Sequence, residues 1–254
     1  MVGLAVGEPV AAYLPHFGGY AQTVLADPRF VRSLRTEAGE VDPSQAAAVP
    51  CVFPTAYGVL QDAGRLRAGE SVLIHSAAGG VGSAALQLAR QAGAGRMLGT
   101  VGSADKIPYA LKLGYDAVFV RDGFAEEVSA ATGGRGVDLV LDPVGGQVRE
   151  QSLKVLAPFG RVVAYGDLAR SEQWTASVFD LWKHNQTIAG FNIGDLARRA
   201  PERIGAYLAE ALRLVAAGGV DAGVTRILPL AEAATAHELL ETGNGHGKIV
   251  LSLT

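Results

Sequence analysis

Short apolar bursts alternate with stretches of helical periodicity through the middle of this chain. The clearest burst lies in Ser71-Val72-Leu73-Ile74-His75 and reads as a parallel strand buried on both faces. The small residues Ser76-Ala77-Ala78-Gly79-Gly80 follow at once, and then a helix whose apolar positions are Val81, Ala85, Leu88, Ala89 and Ala92. Strand, glycine-rich turn and helix in this order form a dinucleotide pyrophosphate site. Small residues let the backbone approach the phosphates, and the helix start offers N–H groups and a positive dipole end. The expected contacts are Ala78, Gly79, Gly80 and Val81, with Ala77 standing where the usual fingerprint has its first glycine.

Five more bursts, at 97–101, 117–120, 137–141, 161–165 and 187–191, predict strands, and helices are predicted near 104–113, 123–132 and 146–157. The alternation implies an α/β fold, a Rossmann-type doubly wound parallel sheet over residues 48–195. Residues 1–47, with Gly18-Gly19 and Pro9, Pro15 and Pro28, read as strands and loops. The segment 196–254 reads as helices at about 201–217 and 231–242 and a strand at 248–253. Neither flank carries a core of its own, so the two are expected to fold together as one lobe around the central domain.

Composition narrows the function. Glycine takes 33 of 254 positions, against an average share of about 7%. A net charge of −3 gives no basic field for nucleic acid or an anionic membrane, and neither partner is expected. A single cysteine, Cys51, excludes an intrachain disulfide framework, and no apolar run reaches the ~20 residues of a membrane span. The first residues lack the charged and apolar regions of a signal peptide, so the expected location is cytoplasmic. Other active-site patterns fail. There is no Gly-x-Ser-x-Gly, His237-Glu238-Leu239-Leu240-Glu241 ends in Glu where a zincin needs His, and no tyrosine has Lys four residues later. His16, His75, His184 and His246 have no ligand spacing.

The chain resembles the zinc-free quinone oxidoreductase branch of the medium-chain dehydrogenase/reductase superfamily. The likeness rests on Val6–Tyr13, Gly18-Gly19-Tyr20-Ala21, Pro54-Thr55-Ala56-Tyr57, the turn from Ala77 to Gly82, Gly99-Thr100-Val101-Gly102-Ser103, Asp142-Pro143-Val144-Gly145-Gly146, Gly190-Phe191-Asn192 and Gly247-Lys248-Ile249-Val250-Leu251. The resemblance implies a sheet of six strands, a GroES-like, β-rich catalytic lobe built from the flanks, and hydride transfer from NADPH to a quinone or an activated alkene. In that family a substantial segment precedes the motif matched by Val6–Tyr13, so this lobe is expected to be partial, truncated at its N-terminus. Enoyl-thioester reduction uses the same framework. A non-catalytic NADPH-binding scaffold or sensor is the reading from outside enzymology.

The cofactor choice turns on the end of the second strand. An NAD-selective site places a carboxylate there for the ribose 2′-hydroxyl, and Thr100-Val101-Gly102-Ser103 offers none. Gly102, Ser103 and Lys106 are expected at the 2′-phosphate of NADPH, as matching positions are in the NADPH-using family. Ser103 would otherwise cap the next helix, and Asp105 stands against the phosphate reading. The resemblance places Thr55, Tyr165, Phe191 and Asn192 on the nicotinamide side. Thr55 could instead start a helix with Pro54, and Phe191 could be ordinary core. Val144, where a strand's carboxyl end meets the ligand crevice, is expected to offer its backbone, with Asp142 bonding neighbouring N–H groups. No metal is expected. Cys51 falls four residues before Thr55, where the resemblance implies a catalytic metal ligand in zinc-dependent relatives, but one thiolate cannot hold zinc, and it reads as a buried apolar cysteine. The strand at 187–191, apolar and at a sheet edge, is expected to pair two copies into a homodimer.

Overall fold

The structure is a computed structural model and describes residues 3–170, 174–242 and 246–253. Strand β1 (Val10–Ala12) pairs antiparallel with β2 (Val31–Ser33), and β3 (Arg35–Thr36) with β4 (Gly39–Glu40). Helix α1 (Pro43–Ala47), too short to show a period in the sequence, is started by local chemistry. Asp42 Oδ1 accepts from the Ser44 N–H at 2.9 Å, and Pro43 occupies the first turn. Helix α2 (Val52–Tyr57) leads into a π-helical turn, Gly58–Ala63.

The central sheet follows. Its elements are β5 (Val72–His75), α3 (Gly80–Gln91), β6 (Met97–Val101), a 3-10 turn (Ala104–Lys106) leading into α4 (Ile107–Leu113), β7 (Ala117–Val120), α5 (Phe124–Ala131), β8 (Val137–Asp142), α6 (Gly146–Lys154), β9 (Leu156–Ala164), α7 (Val178–His184) and β10 (Thr187–Gly190). The six strands lie in the order β10-β9-β8-β5-β6-β7, every neighbouring pair parallel. Successive strands first step outward from β5 and then return to its other side, so the order reverses between β5 and β8. That reversal is where ligands bind in open α/β sheets, outside the carboxyl ends of the strands. The interior is apolar as both-face burial requires: Leu73, Leu98, Val140 and Val162 pack with Phe124 and Val128 of α5.

One boundary differs from the sequence expectation. Helix α6 stops at Lys154 rather than 157, because the Val155 carbonyl accepts the Val137 N–H at 2.8 Å and Leu156 pairs with Val137 in the sheet. The β8–β9 register then shifts, with Leu139 opposite Arg161. The strand expected at 161–165 is the second half of a longer one.

The chain continues through α8 (Ile193–Arg199), α9 (Pro201–Ala216), β11 (Val224–Pro229), α10 (Ala233–Glu241) and β12 (Lys248–Ser252), which pairs parallel with β11. Two units result, one of residues 56–192 and one of residues 1–55 with 193–254. In the second, Tyr13 meets Phe30 edge-on at 5.8 Å and both pack with Ile204 of α9. None of the described helices is long and apolar enough to cross a membrane.

Candidate functional site

The turn between β5 and α3 is tightly built. Ser76 holds a left-handed backbone (φ 56°), a conformation uncommon for residues other than glycine and frequent at functional turns. Its carbonyl accepts the Gly79 N–H at 2.9 Å, and the Ala77 N–H bonds the Thr100 carbonyl of β6, also at 2.9 Å. Gly79 is the cap residue of α3, and Gly80, Val81 and Gly82 supply N–H groups of the first turn, which an α-helix leaves without intrahelical partners. A Cβ on Gly82 would stand 2.5 Å from the Ser76 carbonyl oxygen, so this helix can begin against this turn only with glycine there. Behind it, the buried Tyr115 hydroxyl donates to the Gly82 carbonyl at 3.0 Å.

A polar network lies within the sheet below the turn. His75, fully buried, bonds Thr100 Oγ1 through Nδ1 at 2.7 Å and Ser152 Oγ through Nε2 at 2.8 Å. The Ser152 hydroxyl donates to the Val148 carbonyl, so it accepts from His75, and Nε2 carries the ring proton while Thr100 donates to Nδ1. Burial pushes the imidazole pKa down to about 4, Arg121 lowers it further, and only the Asp142 charge opposes. The neutral ring therefore ties β5, β6 and α6 together. Sequence reasoning passed over it, because neither spacing nor composition brings His75 and Ser152 together.

The strand ends carry the remaining candidates. Gly102 and Arg121 follow paired residues Val101 and Val120, and a Cβ on Gly102 would lie 3.7 Å from Arg121 Nη2. Arg121 Nε is buried without a hydrogen-bond partner, the only such side-chain nitrogen or oxygen among the described residues. It was absent from the sequence reading, although its place one residue beyond a parallel strand is a usable signal. Ser103 stands at the cap position of Ala104–Lys106 without making the capping bond to the backbone. The neighbouring Ser103 hydroxyl holds the Asp105 carboxyl pKa below its ordinary value.

At the end of β8, Asp142 Oδ1 accepts the Val144 and Gly145 N–H groups at 2.7 and 3.0 Å, and Oδ2 pairs with Arg149 Nε at 2.7 Å. The Val144 carbonyl accepts the Ala169 N–H, so the backbone contact expected of Val144 has only a spare carbonyl lone pair to use. The fully buried Asp142 carboxylate shapes the turn. Tyr165, at the end of β9, bonds the Asp142 carbonyl through its N–H, and burial raises its phenol pKa. After β10, the Phe191 ring lies against Gly58, where a Cβ would stand 2.0 Å from Cε2, which is the core-packing reading, and Asn192 is exposed.

Thr55 falls in the other unit. It sits inside α2 rather than at its start, and its hydroxyl donates at 2.8 Å to the Cys51 carbonyl, which also accepts the Thr55 N–H at 3.2 Å. Cys51 is exposed, correcting the expectation of a buried core cysteine. It precedes α2 in a turn, outside the apolar layer. Among the described residues no group of three His, Cys, Asp or Glu could hold a metal ion.

A glycine-closed turn at a helix start, an unpaired buried guanidinium nitrogen and a row of parallel strand ends fit a nicotinamide dinucleotide, and these features define a dinucleotide-binding oxidoreductase domain. The zinc-binding dehydrogenase family matches residues 80–211. The highly reducing polyketide synthase ALT1 of Alternaria alternata is 37% identical over 217 residues, which are 82% of this chain and 8% of that protein. The chain thus spans a small part of such curated relatives. The structure of a 2-haloacrylate reductase is 30% identical with a TM-score of 0.85, covering 99% of this chain and 78% of that one. A quinone oxidoreductase of Pseudomonas syringae pv. Tomato DC3000 is 28% identical, TM-score 0.84, covering 98% and 75%. The chain belongs to the medium-chain dehydrogenase/reductase superfamily and is an oxidoreductase of that type.

Proposed function

We propose that the chain acts as an NADPH-dependent reductase delivering hydride to a conjugated acceptor, a quinone or an α,β-unsaturated carbonyl compound. The observation that carries the cofactor choice is Arg121 Nε, a buried donor without a partner beside Gly102. A buried donor left unpaired costs about 1–3 kcal/mol, and an anion such as the 2′-phosphate would satisfy it. Ser103 and Lys106 add two more donors at the same strand end. When bound, the cofactor supplies the hydride. This chain's residues bind and orient it: Gly79 to Gly82 admit the pyrophosphate, Asp142 and Arg149 fix the turn after β8, and His75 locks β5 to β6 and α6.

Two relatives support the acceptor class, since a haloacrylate and a quinone both present a conjugated electrophile. Likeness to a polyketide synthase supports an enoyl thioester as the alternative acceptor. Assembly as a homodimer through β10 is part of the same proposal.

Calorimetric titration tests the cofactor reading. NADPH should bind more tightly than NADH, and Arg121→Gln or Lys106→Ala should lower NADPH affinity by about 10- to 100-fold with little effect on NADH. Equal affinity of the unaltered protein for both cofactors would end it.

A further inference from the structure

Thr100 of β6 grips the chain on both sides of Ser76. Its hydroxyl bonds His75 Nδ1 at 2.7 Å, and its carbonyl accepts the Ala77 N–H at 2.9 Å. Between these two anchors Ser76 holds its left-handed backbone, φ 56°, with its carbonyl on the Gly79 N–H at 2.9 Å. His75, Ala77 and Thr100 are all fully buried, so no water competes for either anchor. Gly99 makes the close approach possible, since a Cβ there would stand 2.7 Å from the Ala77 Cβ. A serine without such anchors favours the right-handed or extended regions, because left-handed backbone crowds its Cβ against the following carbonyl oxygen. The conformation that sets Gly79 at the start of α3 is therefore imposed from β6.

We propose that Thr100 and His75 are positioning residues for the dinucleotide, a clamp that holds Ser76 in the left-handed form and so presents the first-turn N–H groups of α3 to the pyrophosphate. The proposal rests on the cofactor reading above and deepens it. Without the clamp Ser76 relaxes, its carbonyl turns away from Gly79, and only the minor fraction of molecules with the turn formed binds tightly. NADPH and NADH share the pyrophosphate, so the clamp sets the affinity for each and the preference for neither. Glycine at position 76 bears no left-handed penalty and would make the clamp dispensable. Ser152 supplies the control: it bonds the opposite ring nitrogen, Nε2, at 2.8 Å, and ties His75 to α6 rather than to the turn.

Titration calorimetry with NADPH and with NADH, alongside urea midpoints, decides the matter. Thr100→Val should weaken both cofactors by about 5- to 30-fold, the population factor for a non-glycine residue released from the left-handed region. Ser152→Ala also strips one buried bond from His75, so it should lower the urea midpoint comparably, yet keep both affinities within about 2-fold. Adding Ser76→Gly to Thr100→Val should restore both affinities to within about 3-fold of the unaltered chain. His75→Gln, whose amide can reach Ser152 in place of Nε2 but leaves Thr100, should weaken both cofactors as Thr100→Val does, and it carries the test should Thr100→Val not fold. Unchanged binding by the clamp variants, equal weakening by Ser152→Ala, or no rescue by glycine would overturn the proposal. Equal affinity of the unaltered chain for the two cofactors would end the NADPH reading alone, and the variants would still judge the clamp. No binding of either cofactor by the unaltered chain would sink both.

Discussion

His75 shows how much one side chain can couple to the fold when its environment is dry and its partners are fixed. Both ring nitrogens are engaged, the ring stacks edge-on against Phe124 at 4.8 Å, and nothing in this arrangement welcomes a second proton. The folded pKa is about 4 against an ordinary 6.5. Above pH 6.5 the ring is neutral folded or unfolded, and stability is unaffected. Between 6.5 and 4 the unfolded chain takes up a proton that the folded one refuses, so stability falls as pH drops, by about 3 kcal/mol in all. Urea denaturation at pH 7.5, 5.5 and 4.2 should show this slope, and His75→Gln should flatten it. Asp138, whose pKa Arg135 and Ser71 hold down at about 2 against burial, contributes stability above pH 3.8 that is lost only below that window.

At the scale of elements, the π-helical turn Gly58–Ala63 and the end of β10 meet through one glycine. The Phe191 ring occupies the space a side chain at position 58 would need. Gly58→Ala should destabilise the protein by about 1–3 kcal/mol, read from denaturant midpoints, because the ring must leave its site. In a Phe191→Ala background the same change should cost under about 0.5 kcal/mol. An equal cost in both backgrounds would mean that the π-turn backbone, not the ring, demands glycine. The periodic helices behave differently. In α9 the buried Ile204, Leu208, Ala211 and Leu212 repeat at helical spacing, so that element is specified by pattern.

For the molecule as a whole, β10 is the question, since among the described residues it closes one end of the sheet with an unpaired edge. In the same region Phe159, Val178, Phe179 and Trp182 are all exposed, an apolar surface unusual on an isolated domain. Sedimentation velocity should find dimers, and Ile188→Asp should yield monomers with cofactor affinity intact. A monomer before any substitution would refute assembly through this edge.

Much of this architecture was legible in the chain. The strand Met97–Val101 matches the sequence reading, because a strand buried on both faces announces itself as a continuous apolar burst, and the half-buried edge strand Ala117–Val120 matches it as well. The glycine turn after β5 was legible for a related reason: close backbone approach admits few residue types. Residues whose role depends on a distant partner were hidden. Leu156 entered β9 instead of α6 because Val137, far back in the chain, offered a ladder bond. Arg121 looked like any arginine after a strand until packing buried its Nε beside β6, and Ser103 looked like a helix cap although its side chain makes no capping bond. Local patterning determined the elements and the glycine-rich turn after β5, since those depend on near neighbours and backbone shape. Only the tertiary structure decided which polar groups meet, because burial and the pairing of donors with acceptors are set by segments that the sequence holds apart.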